Sequence, residues 1–172
     1  MGIRVRRERG FSVLELMVVL AVAAVFAMIA VPSFARMQRA ASLSAATNQL
    51  LWALNFARSA AILESLPVTL CLSADGESCL SSAAAAGVGW LVFYQSGGPS
   101  SVPLLHTFRL PADLTVHGTR AAVTFWPVAR AGTTSTFDLC ARGGRAPQQG
   151  RAIVVSQTGR SRVATEEAAC AP

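Results

Sequence analysis

The sequence predicts an α+β protein: a long N-terminal helix, membrane-spanning in its first half, packed on a C-terminal antiparallel β-sheet or β-sandwich head. Three observations predict it. From Phe11 to Val31 the chain is apolar, with Glu15 as the one charged residue. Beyond Pro32, apolar residues recur at helical spacing as far as Ala61. Beyond Pro67 they gather instead in short β-branched or aromatic runs separated by Gly, Pro and Ser clusters.

At about 1.5 Å per residue, a helix over residues 11–31 covers roughly 30 Å, the thickness of a bilayer core. A secretory signal has a shorter apolar region of about 7–15 residues ending at a small-residue cleavage site. Here the apolar run reaches Pro32 and the helical pattern continues past it, which favours a retained membrane helix. Residues 1–10 carry Arg4, Arg6, Arg7 and Arg9 against Glu8. A positive flank stays on the cytoplasmic side, so the expectation is a single-pass inner-membrane protein with its head in the periplasm. Proline removes one backbone donor and bends an apolar helix without having to end it, so Pro32 is expected to kink the helix. Leu43, Ala46, Leu50, Leu54, Ala57 and Ala61 then form an amphipathic stripe. One helix from about Phe11 to Glu64 results, closed by Leu66-Pro67 because the residue before proline disfavours helix. The expected segments are a leader over 1–10, a membrane half over 11–31, an amphipathic half over 32–65 and the head over 66–172.

Strands are expected at 67–72, 89–95, 104–110, 113–118, 122–128, 135–141 and 151–157. Such short strands argue for antiparallel pairing. Thr107, Arg109 and His117 are placed facing outward, and Trp52, Trp90 and Trp126 are assigned to core or sheet packing. Residues 81–89 and 95–101 read as flexible loops.

The composition agrees with an anchored domain. The 172 residues are 52% hydrophobic and 14% charged, with a net charge of +6. All 15 basic residues are arginine. Without residues 1–10, with their four arginines and one glutamate, the net charge falls from +6 to +3, so overall charge alone is a weak argument for a polyanionic partner. The four cysteines, on the oxidising side of a membrane, suggest two disulfides. Three pairings are open. Cys71–Cys79, closing a short loop, with Cys140–Cys170 is preferred. A zinc site is the alternative, but there is no C-x-x-C, and His106 and His117 fall in no ligand pattern.

No catalytic signature is present: no G-x-S-x-G, no H-E-x-x-H and no phosphate-loop lysine. Gly87-Val88-Gly89 is too short to signal a nucleotide site. His106 and His117 with Asp113 could be drawn as a proton relay, but histidines on strands are more often surface or sheet residues. Glu166-Glu167 reads as a solvated tail. No cofactor and no metal are expected.

Glu15 is then the anomaly. A carboxylate inside a bilayer costs on the order of 2.5–3.5 kcal/mol, and no basic residue of this chain lies near it beyond Gly10. Cleavage between Gly10 and Phe11 would create a new ammonium group, and that of a neighbouring copy could pair with Glu15 and set the axial register of adjacent helices.

The stretch "RERGFSVLELMVVLAVAAVFAMIAVP" resembles the class III signal of type IV pilins and type II secretion pseudopilins. The resemblance implies that a prepilin peptidase cuts after Gly10, that Phe11 is then N-methylated, that Glu15 is the filament register residue and that Pro32 bends the helix. The stretches at 68–71, 89–93, 123–132, 137–140 and 151–163 are similar to the head of the GspH/FimT family of minor pilins and pseudopilins. Other pilins or pseudopilins are then expected partners, with the membrane before assembly and the filament at the cell surface after it.

Residues 142–162, "RGGRAPQQGRAIVVSQTGRSR", hold five arginines and no acid. Arg160 and Arg162, at i and i+2 on an extended segment, share a face, and a turn at Thr158-Gly159 precedes them. Guanidinium forks suit phosphate oxygens, and the lack of interleaved aromatics favours sequence-independent contact with a nucleic-acid backbone. In FimT-type minor pilins a G-R-x-R motif is implicated in binding DNA for uptake, which the resemblance carries to Gly159, Arg160 and Arg162. Arg142, Arg145 and Arg151 match no motif and are added as electrostatic support. Secretion pseudopilins of the GspH type often carry a similar turn. The leading expectation is therefore a minor type IV pilin that binds DNA for natural transformation. The alternative is a structural secretion pseudopilin, or an assembly-priming minor pilin, that does not bind DNA. Adhesion through the head is weaker, with no sugar- or metal-binding pattern behind it.

Overall fold

The computed structural model describes residues 12–83, 85–95, 104–128, 130–131, 134–142, 150–164, 168 and 170, with the backbone alone at Pro32, Arg130 and Ala131. Gly10, Phe11, Arg145, Glu166, Glu167 and most of the loop expected at 95–101 lie outside the described residues. The chain divides into two units, residues 1–38 and 39–172.

One helix, α1, spans Val13–Leu63 and is helical through Pro32. In the first unit its described apolar side chains, from Val13 to Phe34, are exposed, as is Glu15. This segment is long and apolar enough to cross a membrane. In the second unit Leu43, Ala46, Leu50, Leu54, Ala57 and Ala61, the stripe read from sequence, are all buried. Thr47 sits among them and satisfies its hydroxyl by donating to the Leu43 carbonyl at 2.7 Å. The helix ends where Ser65 turns left-handed at φ 56°, just ahead of Pro67.

Nine strands follow: β1 Val68–Ser73, β2 Gly89–Tyr94, β3 Leu104–Arg109, β4 Leu114–Gly118, β5 Ala122–Trp126, β6 Arg130–Ala131, β7 Ser135–Ala141, β8 Gly150–Val155 and β9 Ser161–Val163. Seven correspond to the expected runs; β6 and β9, with two and three residues, are too short to give a periodic signal. They build two antiparallel sheets, ordered β3-β2-β1-β5-β6 and β4-β7-β8-β9. A bridge between Gly87 and Val116 links the two sheets, its two hydrogen bonds measuring 2.8 and 3.1 Å.

A single main core joins the α1 stripe to both sheets. Val68, Leu70, Leu72, Trp90, Val92, Val123 and Phe125 enter from the first, and Val116, Phe137, Leu139, Ile153 and Val155 from the second. β1 is buried on both faces. Its odd-numbered face is covered because Cys71 packs with Leu91 and Phe93, and the Cys71–Cys79 disulfide folds the following loop over them. Both disulfides have the preferred pairing, Cys71–Cys79 and Cys140–Cys170.

The tryptophans divide. Trp90 is fully buried and stacks on Phe108, and Trp126, 39% exposed, lies on β5 of the first sheet; Trp52, 49% exposed on α1, is in neither the core nor a sheet, so the assignment to core or sheet packing fails for Trp52. Trp52 lies on the solvent side of α1, stacked on Phe56 with the His106 ring edge-on at 4.9 Å.

Candidate nucleic-acid interface

The Gly159-Arg160-Ser161-Arg162 segment forms the β8–β9 corner. After Val155 the chain needs a tight reversal, and Ser156 organises it. Its N–H donates to the Arg160 carbonyl at 3.0 Å, and its carbonyl accepts from the Gly159 N–H at 2.8 Å. Its hydroxyl lies 2.8 Å from the Thr158 hydroxyl and accepts from the Arg160 N–H at 3.2 Å. Gly159 adopts φ 75°, a left-handed conformation that glycine enters without the Cβ clash other residues suffer. The corner is thus closed by its own backbone and two hydroxyls, and no arginine side chain is needed to hold it.

Register then aims the arginines. Arg162 lies opposite Val154, and Ser161 opposite Val155, whose side chain is in the core. By the two-residue alternation of a strand, Arg162 and Arg160 face away from the core. Both are exposed, and neither guanidinium has a hydrogen-bond or ion-pair partner among the described residues. β9 is also the edge of its sheet. Two free cations at an edge corner are accessible to a long polyanion. Among the described residues one acid shares the outward face: Asp138 on β7, which lies opposite Ala152 of β8 and His117 of β4.

Arg142 and Arg151, the other described arginines of the basic segment, are not brought here. Arg151 lies opposite Leu139, on the alternation face of Ile153 and at the far end of β8 from the corner. Arg142 follows β7 at that same far end, its N–H donating to the Asp113 carbonyl at 2.7 Å. Their expected electrostatic support therefore has no geometric basis at the corner. The antiparallel pairing of β7 with β8 separates residues that the sequence shows as one run. Arg142 instead shares a groove with Arg109, a pairing the sequence reading missed. It depends on β2–β3 pairing, which sets Arg109 opposite Gly89, and leaves no local signal.

No proton relay assembles. His106 lies on β3 of one sheet, beside Trp52 and Phe56, while His117 lies on β4 of the other and Asp113 is exposed. Among the described residues no group of three or more His, Cys, Asp or Glu could hold a metal. The glycines at 87 and 89 serve backbone approach. A Cβ on Gly89 would collide with the Phe108 carbonyl oxygen, and one on Gly87 would lie 3.0 Å from the Val116 side chain.

Comparison with known proteins agrees with this architecture. The "Type II transport protein GspH" family matches residues 46–159, and the "Prokaryotic N-terminal methylation motif" matches residues 5–31. The family match ends at Gly159, just short of Arg160 and Arg162. Two crystal structures of the type IV minor pilin FimU of Pseudomonas aeruginosa are similar. One has TM-score 0.58 and 21% identity over 74% of this chain and 92% of that one; the other has TM-score 0.55 and 22% identity over 71% and 92%. The minor pseudopilin EpsH of the Vibrio cholerae Type 2 Secretion System is similar at TM-score 0.52 and 11% identity, over 72% of this chain and 96% of that one. Among curated proteins none matches. The long helix, the antiparallel head and the family match over residues 46–159 lead to one conclusion: the chain belongs to the GspH family of pilin-like proteins.

Proposed function

We propose that this protein is a minor type IV pilin whose β8–β9 corner binds DNA for uptake in natural transformation. The observation that carries the reading is the corner itself: Gly159 and Ser156 hold the turn while Arg160 and Arg162, at the start of an edge strand, have no partner among the described residues. An unpartnered guanidinium offers all its donors to phosphate oxygens, and nothing in the corner has to break first. The contact is to the phosphate backbone and so is independent of sequence.

Delivery to the filament follows from the N-terminus. Prepilin peptidase cleaves after Gly10 and Phe11 is N-methylated. The subunit waits in the inner membrane with its head in the periplasm and then enters the filament, where Glu15 pairs with the N-terminal ammonium of a neighbouring subunit. Exposure of every described apolar residue from Val13 to Val31 suits a segment whose surroundings are first lipid and then neighbouring helices. Pro32 bends the helix between its membrane and head halves.

A second reading is favoured by the likeness to EpsH: a structural pseudopilin of a secretion system, or a pilin that primes assembly, in which Arg160 and Arg162 are dispensable. Exchange of Arg160→Ala/Arg162→Ala in the producing bacterium separates the two. The DNA-binding reading expects normal filament assembly with loss of DNA uptake. Normal uptake with that variant, or a secretion defect on deletion of the protein, would replace it with the second reading.

A further inference from the structure

Among the described residues, another place in the head collects positive charge around a concave surface. A groove of about 320 Å³ is lined by Ala74, Val88, Leu110, Pro111, Ala112 and Leu114, with Arg109 and Arg142 as its two charged residues. Its volume is that of a small-ligand or side-chain pocket. Leu110 and Leu114 are buried and form an apolar floor, and both arginines are exposed.

The walls are fixed. Arg109 ends β3, and its Nη2 donates to the Asp75 carbonyl at 3.1 Å. The Asp75 loop is closed by the Cys71–Cys79 disulfide and tied internally, since the Asp75 carboxylate accepts from the Ser73 and Ser78 hydroxyls and from the Glu77 and Ser78 N–H groups. On the other side the Leu110 N–H donates to the Val88 carbonyl at 2.7 Å, and the Arg142 N–H to the Asp113 carbonyl. Among the described residues neither neighbouring acid lines the groove: the Asp75 carboxylate caps its own loop, and the exposed Asp113 meets Arg142 through its backbone carbonyl. One of Arg109's donors is used on a neutral carbonyl, and no acid among the described residues neutralises its charge.

We propose that this groove is a carboxylate-binding site that takes an acidic peptide segment, with an aliphatic side chain next to its Asp or Glu, from a neighbouring filament subunit. The two guanidinium groups match the planar carboxylate, and the floor of Val88, Leu110 and Leu114 gives the adjacent aliphatic side chain a surface to cover. A nucleic-acid backbone would use the charges but gain nothing from the floor, so a peptide is the better complement. Register places the site at the opposite end of the second sheet from Arg160, so that one head can hold a filament neighbour and DNA at once. The proposal rests on the chain's membership of a filament-forming family and not on the DNA-binding reading.

The test uses the full chain in zwitterionic detergent and a fluorescent peptide, acetyl-Ala-Leu-Glu-Leu-Ala-amide, followed by anisotropy. The expected result is saturable binding, weakened about tenfold or more when the peptide Glu is replaced by Gln and in Arg109→Gln/Arg142→Gln, but unchanged in Arg160→Ala/Arg162→Ala. Equal binding of the Glu and Gln peptides, or no loss in the Arg109→Gln/Arg142→Gln variant, overturns the proposal. Competition by inorganic phosphate or an oligonucleotide at lower concentration than an unlabelled copy of the peptide would make the groove a phosphate site and overturns the peptide assignment. If the arginine variant fails to fold, the Glu/Gln peptide comparison and the phosphate competition on the unaltered chain decide the matter.

Discussion

Single residues show how function is kept apart from structural support. Gly159 holds φ 75° so that the corner can close without using the arginines. Gly159→Ala is expected to cost about 1–2 kcal/mol of stability, read by denaturant melting, with Gly159→Asn costing less because Asn tolerates the left-handed region. Asp75 illustrates the opposite case, a charge spent entirely on structure. The Ser78 hydroxyl, the Ser78 and Glu77 N–H groups and the Ser73 hydroxyl hold its carboxyl well below the usual carboxylate range. Its folded value lies below the unfolded one, about 3.9, so its contribution is complete above that value and fades as pH falls through it towards the depressed folded value. The difference in melting temperature between the unaltered protein and Asp75→Asn should therefore shrink on going from about pH 6 to about pH 2. A difference that grows on acidification would contradict this assignment. Gly150 carries a constraint of another kind: a Cβ there would collide with the Cys170 sulfur, so the Cys140–Cys170 bridge crosses β8 where only glycine leaves room.

The elements differ in how far they could be read from sequence. α1 was legible because its two halves obey two strong rules: unbroken apolarity for one environment, and a three-four spacing for the other. The stripe from Leu43 to Ala61 is buried as the spacing requires. Leu50→Ala should then cost about 2–5 kcal/mol, a loss that a thermal or denaturant melt of the head would register. Glu15→Gln leaves the head untouched and should abolish or sharply reduce incorporation into sheared filaments while the protein still accumulates in the membrane. Undiminished incorporation would remove Glu15 from its register role. The seven longer strands were legible from β-branched runs. β9 was not, because its three residues are held by pairing with β8 and by the Ser156 turn, not by their own propensity. The disulfides join elements in the preferred pairing, and the 30-residue separation of Cys140 from Cys170 makes its reduction worth about 3–4 kcal/mol on a chain-entropy basis.

At the scale of the whole molecule, charge is distributed by topology. The sequence shows one basic run from Arg142 to Arg162, but antiparallel pairing of β7, β8 and β9 sends Arg142 and Arg151 to one end of the sheet and Arg160 to the other. Linear charge density therefore overstated the described cluster, while the exposure of both Arg160 and Arg162 agrees with the shared face expected from local backbone geometry. The exposure of Trp52 escaped sequence reasoning for the same reason that Arg109 did. Both depend on which partner strand or helix face lies alongside, and that is set by contacts distant in sequence. The central proposal follows from this division: the DNA contact is assigned to the corner and its two arginines, Arg160 and Arg162. The most direct test is a mobility-shift titration of duplex DNA with the unit from Arg39 to Pro172, which contains every buried residue described and both disulfides. Affinity would be followed between about 50 and 200 mM salt, with Arg160→Ala/Arg162→Ala alongside. The account predicts salt-sensitive binding whose log–log slope flattens by about 2 in the double variant, one unit of about 0.9 for each lost phosphate contact. Absence of binding at low salt, or a double variant that binds with an unchanged slope, would contradict it.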